Sequence, residues 1–390
     1  MGHHLGADDH SRTRQSLESD DWQKLCRIRD QAERFFGWRQ IVNLQQKSLA
    51  TSRALTHAQL LQTANSIANL QLKSGMIPWF ENGHCDPWNH VETAMALDVM
   101  GLHENAFRAY QWLQNTQRED GAWSNYFNSD ESIEDFKLDS NVCAYVGTGL
   151  WHHWLCNHDI DALHNFWPML ERAMTWVLQM RLTNGTILWA REEAQKPWNY
   201  ALLTGCSSIR HALICAANIA DTLKSPKPEW YEAAAKIDLA IRETPFVFEP
   251  KERWAMDWYY PVLSGSMTGA VAKSRLEEQF ETFVLHDHGV RCVSDEPWIT
   301  ASETAECSMA FSAIGDLDTA QFLLNTTSHH RTSDGAYLTG LVYPDKVVFP
   351  ADETSAYTGA AVILAADSLY SISPASRIFR YDDQNEIIEP

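Results

Sequence analysis

Glu192 and Glu193 follow Trp189 by three and four residues in the stretch Asn184-Gly185-Thr186-Ile187-Leu188-Trp189-Ala190-Arg191-Glu192-Glu193, and Trp198 comes soon after. The same pairing of acid and aromatic recurs in Asp86-Pro87-Trp88-Asn89-His90, at Asp139, in Asp257-Trp258-Tyr259, in Trp298 with Glu303, and in Tyr343-Pro344-Asp345 with Asp352-Glu353. Aromatic platforms beside hydrogen-bonding groups suit a sugar ring, whose C–H faces stack while its hydroxyls are bound edge-on. Two carboxylates across a cleft suit glycosidic cleavage. One stays protonated to assist the leaving oxygen and the other activates water, and a separation of about 6.5–9.5 Å gives inversion. Glu192 or Glu193 is the expected acid, and Glu353 or Asp345 the expected base. Trp88, Trp189, Trp198, Trp258 and Trp298 are the expected platforms, with Tyr259 beside them. Asp86, Asn89, Asp139 and Asp257 are expected to bind hydroxyls, and His90 and Glu303 to line the same site. A plainer role stands beside each: Asp86 followed by Pro87 is also a good helix N-cap with proline in the first turn.

Other chemistries find no support. There is no G-x-S-x-G, no phosphate-binding loop and no G-x-G-x-x-G. The pairs His152-His153 and His329-His330 are adjacent in sequence, which on a helix points them to different faces, so no metal or other cofactor is expected. The eight cysteines contain no C-x-x-C pair and read as small buried thiols in a reducing compartment. A net charge of −20 argues against nucleic acid and anionic membranes as partners. No apolar run approaches about 18 residues, and the first twenty residues lack an apolar signal core. The expected setting is cytoplasmic, and the expected partner is a small-molecule or oligosaccharide substrate.

The elements that must position these residues follow from periodicity. Amphipathic helices over 56–73, 103–118, 160–182, 227–243, 270–285 and 317–329 alternate with helices rich in small apolar residues over 86–101, 138–156, 200–222, 257–268, 300–314 and 353–371. A helix apolar all round is buried and one with a single stripe lies outside. Six of each in strict alternation describe an all-α (α/α)6 toroid, a double ring built from hairpins of about 50 residues. Pro261 is expected to limit the fourth inner helix to a start near itself. Residues 1–20 read as a disordered tail, 21–48 as an extra N-terminal helix, 21–375 as one toroid domain and 376–390 as a C-terminal tail. Tight turns such as Met100-Gly101 join inner to outer helices. The return connections are long and share a cue: Ser74-Gly75, Asp120-Gly121, Asn184-Gly185 and Asp334-Gly335, each followed by an aromatic residue. Long aromatic loops on one rim put a funnel at the N-terminal ends of the inner helices.

This pattern resembles six-hairpin glycosidases of the glucoamylase type over most of residues 75–371. The stretch from Asp86 to Asp98 is similar to that family's first inner helix, Leu188-Trp189 to its Leu-Trp-Glu turn, and Phe349-Pro350 to the segment after its general base. The resemblance implies an inverting glycoside hydrolase, with the general acid directly after Trp189. Ala190 occupies that position, and the acids come two and three residues later. Gln117-Arg118-Glu119-Asp120-Gly121-Ala122-Trp123 also resembles the Q-x-x-x-G-x-W repeat of squalene-cyclase-like and prenyltransferase-like toroids. That resemblance implies a terpenoid cyclase or prenyltransferase-like enzyme, with the aromatics stabilising carbocations. Ala190 keeps open a non-catalytic sugar-binding toroid, and His90 a sugar epimerase.

Overall fold

The computed structural model describes residues 55–192 and 196–381, all within one compact unit spanning Ala54–Pro390. The expected tail 1–20 and helix 21–48, and residues 382–390, lie outside the described residues. The outer helices are α1 (His57–Leu70), α3 (His103–Thr116), α6 (Ile160–Gln179), α8 (Pro228–Glu243), α10 (Gly269–Phe283) and α12 (Leu317–Thr326). The inner ones are α2 (Pro87–Val99), α4 with α5 (Ser140–Ala144 and Val146–Asn157), α7 (Leu203–Thr222), α9 (Ala255–Leu263), α11 (Ala301–Ala313) and α13 (Ala356–Tyr370). Burial separates the two sets: twelve of the thirteen residues of α2 are buried, but only four of the fourteen of α1. Each inner helix packs against the next, and α13 packs against α2, so the inner ring is closed. The fold is an (α/α)6 toroid.

Local chemistry sets the helix ends. Thr56 and Gln59 form a reciprocal capping box at the start of α1. The α9 helix starts earlier than expected and carries Pro261 inside it. Proline cannot donate to the carbonyl four residues back, which here belongs to Asp257. That carbonyl instead accepts a hydrogen bond from the Arg275 guanidinium at 2.7 Å, so α10 supplies the missing donor.

The glycine cue has a packing cause. Gly75 and Gly121 have φ of +108° and +96°, a region open mainly to glycine. A Cβ on Gly75 would stand 2.1 Å from the Arg108 carbonyl oxygen on α3, and one on Gly121 2.5 Å from that of Arg172 on α6. Gly185 meets Lys236 on α8 in the same manner, and Gly335 meets Gln62 on α1. Each turn thus presses onto the next outer helix, and the last presses onto the first. Glutamines lock the contact. The Gln71 amide donates to Gly75 and Asn105 carbonyls, and the Gln117 amide to Gly121 and Met169 carbonyls, all at 2.8–3.0 Å.

The two ends of the ring differ. Residues 376–381, expected as part of a tail, pack at the C-terminal ends of the inner helices. The His211 ring bonds the Ile378 carbonyl at 3.0 Å, Arg380 bonds the Ser368 carbonyl and the Ser312 hydroxyl, and Tyr381 fills the space beside Gly265. At the N-terminal ends, short antiparallel strands stitch the rim loops. Leu138–Asp139 pairs with Ala190–Arg191, and Gly340–Val342 lies between Trp298–Thr300 and Val347–Val348.

Gly121→Ala is expected to lower the unfolding free energy in urea by about 2 kcal/mol or more, since it adds both backbone strain and a clash. Gly101, with φ of +78° but nothing within 4 Å of its Cβ position, is the control. Gly101→Ala carries the strain alone and is expected to cost about half as much.

Candidate active site

The N-terminal turns of α2, α4, α9 and α11 carry Asp86, Asp139, Asp257 and Glu303 at or near the rim. Asp86 caps α2. It accepts the Asn89 backbone N–H at 3.0 Å, the Asn89 amide at 2.7 Å and the Trp79 indole N–H at 2.7 Å. Burial raises its carboxyl above the ordinary range despite these donors. Trp79 also packs edge-on against Tyr357 in the first turn of α13, with ring centroids 4.8 Å apart. Asp139 caps α4 in the same style. It accepts the Asn141 and Val142 N–H groups at 3.0 and 3.3 Å and the Trp189 indole N–H. Burial pushes it up to about 6, against the lowering charge of Lys137.

Asp139 is the strand partner of Ala190. Ala190 is buried, and the carboxylate paired across the strands from it is that of Asp139. Trp189 lies 4.9 Å from Trp198 and 5.6 Å from Tyr200 by ring centroids, and the Lys137 ammonium sits 4.7 Å over the Trp189 ring. Further round, Asp257 accepts the Thr204 hydroxyl at 2.7 Å. Glu303, half-buried at the start of α11, accepts hydroxyls from Thr300 and Ser302 and the Cys292 thiol. Glu353, ahead of α13, accepts the Thr339 hydroxyl at 2.7 Å.

Beneath these groups lies a layer the sequence reading missed. Glu92 on α2 and Glu306 on α11 are both buried. Tyr145 donates to Glu92 at 3.1 Å, while Tyr259 and Tyr260 donate to Glu306. Trp88 stacks flat on Tyr145 at 4.2 Å. Burial raises Glu92 to about 8, and the charges of Asp86 and Glu303 add to the rise. Glu306 is raised well above its usual range by burial first and by the Glu92 charge next. Glu303 and Asp86 also both act on Tyr357, whose phenol is raised chiefly by burial. Asp86 and Glu303 thus each lie near enough to Glu92 and Tyr357 for their charges to raise both. The available signal was an acid in the middle of an otherwise small-apolar helix: Glu92 in Val91-Glu92-Thr93-Ala94, and Glu306 in Ala305-Glu306-Cys307.

The other expected residues divide by placement. Glu192 is half-buried in the loop after Ala190–Arg191, and Glu193 lies outside the described residues. Asp345 sits on the exposed turn between the strands Gly340–Val342 and Val347–Val348. His90 is buried, with Nδ1 accepting from the Ile77 N–H and Nε2 paired with the Ala109 carbonyl, so both ring nitrogens are used in tying α2 to its surroundings. Tyr259 reaches down to Glu306. The Trp258 indole donates to the Arg275 carbonyl. Trp298 is half-buried on the rim, donates to the Phe349 carbonyl and meets the Phe349 ring edge-on at 5.2 Å. Among the described residues no group of three or more His, Cys, Asp or Glu side chains is placed to hold a metal ion, and no helix is long and apolar enough to cross a membrane.

A closed double ring of helices with carboxylates and tryptophans round one mouth is the architecture of toroidal glycosidases, and comparison with known proteins agrees. The chain is 46% identical over 326 residues to the MMP endo-(1,4)-3-O-methyl-alpha-D-mannosidase of Mycolicibacterium hassiacum, a match covering 84% of this chain and 90% of that one. Among solved structures, a glycosidase in complex with glucose superposes with a TM-score of 0.66 at 13% identity, covering 81% of this chain and 97% of the other. A D-mannose isomerase superposes with a TM-score of 0.62 at 11% identity, covering 80% and 96%. At these identities the structural likeness speaks for the fold alone. No family model matches the chain. The chain belongs to the family of the M. hassiacum mannosidase, and it is a carbohydrate-active glycoside hydrolase. Neither the relative nor the solved structures named here is a terpenoid cyclase or prenyltransferase, and the Gln117–Gly121 motif that resembled those proteins serves here as the tie between turn and outer helix.

The buried acids give the fold a pH dependence of definite sign. A carboxyl raised in the folded state binds its proton more tightly there than in the unfolded chain. Its contribution is therefore lost as pH rises from the ordinary 4.5 through about 8. Glu92→Gln keeps an acceptor for Tyr145 and cannot ionise. Compared with the unaltered protein in urea unfolding, it is expected to flatten the fall in stability across that window by on the order of a few kcal/mol.

Proposed function

We infer that the chain hydrolyses an α-(1,4)-linked mannoside carrying 3-O-methyl groups, cutting within the chain and inverting the anomeric centre. The substrate class rests on the name of the 46% identical relative, and the assignment to the glucoamylase-like, inverting branch rests on the rim. The carrying observation is that the charges of Asp86 and Glu303 both raise Glu92 and Tyr357, while Trp79 bonds Asp86 and packs on Tyr357, which supports reading the two carboxylates as one pair.

In this reading Asp86, kept towards its protonated form by burial, gives its proton to the glycosidic oxygen as the C1–O bond breaks. Glu303, held as an acceptor by two hydroxyls and a thiol, takes a proton from the water whose oxygen attacks C1 from the opposite face. The products are two shorter chains, one with a new hemiacetal of inverted configuration. Inversion asks for about 6.5–9.5 Å between the carboxyls, room that non-adjacent stations of a six-membered ring provide. Trp189 and Trp198, with Asp139 bonded to the Trp189 indole N–H and Lys137 over the Trp189 ring, bind the neighbouring sugar. Glu192 with Glu353, on opposite stations of the rim, is the second pair, favoured by the Thr339 bond that orients Glu353.

Asp86→Asn and Glu303→Gln are each expected to lower kcat about 10³-fold or more on a 3-O-methyl α-(1,4)-mannooligosaccharide while circular dichroism stays native. Glu192→Gln and Glu353→Gln are expected to lose less than about tenfold. The reverse ranking transfers the roles to that second pair. Proton NMR of the first product is expected to show the β-anomer from the α-linked substrate, and early appearance of the α-anomer would rule inversion out.

A further inference from the structure

A second concavity opens beside the mouth of the funnel, between the segment 245–252 that follows α8 and the C-terminal part of α10. It has a volume of about 480 Å³, within the range of about 300–1,000 Å³ usual for small-ligand pockets. Phe246, Phe248, Trp258 and Phe283 wall it, and Asp257 and Arg275 lie at its polar side. Three features mark it as more than a packing fault.

The first is continuity with the funnel. Asp257 and Leu203 line the concavity, and both stand in first turns of inner helices. The Glu249 N–H, on its wall, donates at 2.9 Å to the carbonyl of Ala201, next to the rim residue Tyr200. The second is pre-organisation. Trp258 and Phe283 stack at 5.3 Å with only 12° between their planes, and Trp258 is pinned through its indole N–H to the Arg275 carbonyl. Arg275 is itself held by the Asp257 and Trp258 carbonyls, so little ordering is left to do on binding. The third is Phe246. It stands 82% exposed on the short helical turn Pro245–Val247 and lines the same concavity as Phe248, Trp258 and Phe283, so the aromatic wall reaches solvent.

We propose that this concavity is a distal subsite for a 3-O-methylated mannose segment of the chain being cut. The proposal rests on the functional reading above. An enzyme that cuts inside a chain must hold sugar on both sides of the scissile bond, and the wall of the concavity is tied at Ala201 to the segment whose Tyr200 packs against Trp189 and Trp198. A methyl ether replaces a hydroxyl donor with an apolar group, so a methylated segment gains from aromatic walls that an unmethylated one leaves unfilled. The polar groups, Arg275 and the exposed Gln279 and Glu249, stand where the remaining hydroxyls need partners.

The test uses the full chain, Phe246→Ala and Phe246→Trp, with three probes: a long 3-O-methyl α-(1,4)-mannooligosaccharide, a short one, and a long unmethylated one. Phe246→Ala is expected to raise KM about tenfold for the long methylated chain, with kcat unchanged and the short chain cut normally. Phe246→Trp is expected to restore KM, and the unmethylated chain to respond least. An unchanged KM in Phe246→Ala, or an equal rise for long and short chains, overturns the subsite. Calorimetric titration of the long methylated chain separates this from the functional reading. If the unaltered protein cuts none of the probes, that reading fails, while tighter binding to the unaltered protein than to Phe246→Ala still supports the subsite, and equal or absent binding overturns it.

Discussion

The close approach of each hairpin turn to the next outer helix is the constraint on which the ring depends. At Gly75 and Gly121 the chain reverses with positive φ and comes so near a carbonyl of the neighbouring helix that only a hydrogen fits between them. A glutamine from the preceding helix then bridges turn and neighbour through its amide. Because Gly335 makes the same approach to α1, the contact closes the circle as well as passing along it. One hairpin cannot bury its inner helix alone. Once the outer ring is fixed at this spacing, the inner helices must fill a cylinder of set width, which favours the many alanine, serine, glycine and cysteine residues of α7, α11 and α13.

The site follows from that closure. Six inner helices with parallel directions bring their free N–H groups and the positive ends of their dipoles to one mouth. Carboxylates collect there because the caps favour them, and Asp86 and Asp139 satisfy cap donors and an indole at once. Burial works against the same charge, and the two effects leave these acids above their ordinary range. Residues 376–381 pack at the far end of the ring, away from the mouth. Below it, Glu92 and Glu306 with their tyrosines set a polar floor in a core that is otherwise apolar. A buried acid of this kind costs stability when ionised, and its retention fits a site that must be acidic and dry together.

Pro261 shows how local and tertiary information divide. Alone, a proline in that position argues that the helix begins beside it. The helix instead runs through, because Arg275 on another element takes over the carbonyl that the proline leaves free. Ala190 is a similar case. Along the chain it looks like the loss of an acid, whereas across the strand pair it faces Asp139, which carries a carboxylate to the same station.

The sequence by itself determined the double ring, its order and its mouth, because these depend on periodicities, glycine turns and caps that act within a few residues of chain. It also marked most rim stations, since Asp86, Asp139 and Glu303 sit in helix-starting turns, Asp86 with Trp88 close behind it. Only the tertiary structure decided which acids come near enough to act on one another. Asp86, Glu92, Glu303 and Glu306 come from α2 and α11, more than two hundred residues apart, and their mutual effect is a matter of distance through space. Only the fold, likewise, could turn His90 into a fully engaged buried bridge and set Asp345 out on a turn. A residue type states what a side chain can do, and its burial and neighbours decide what it does.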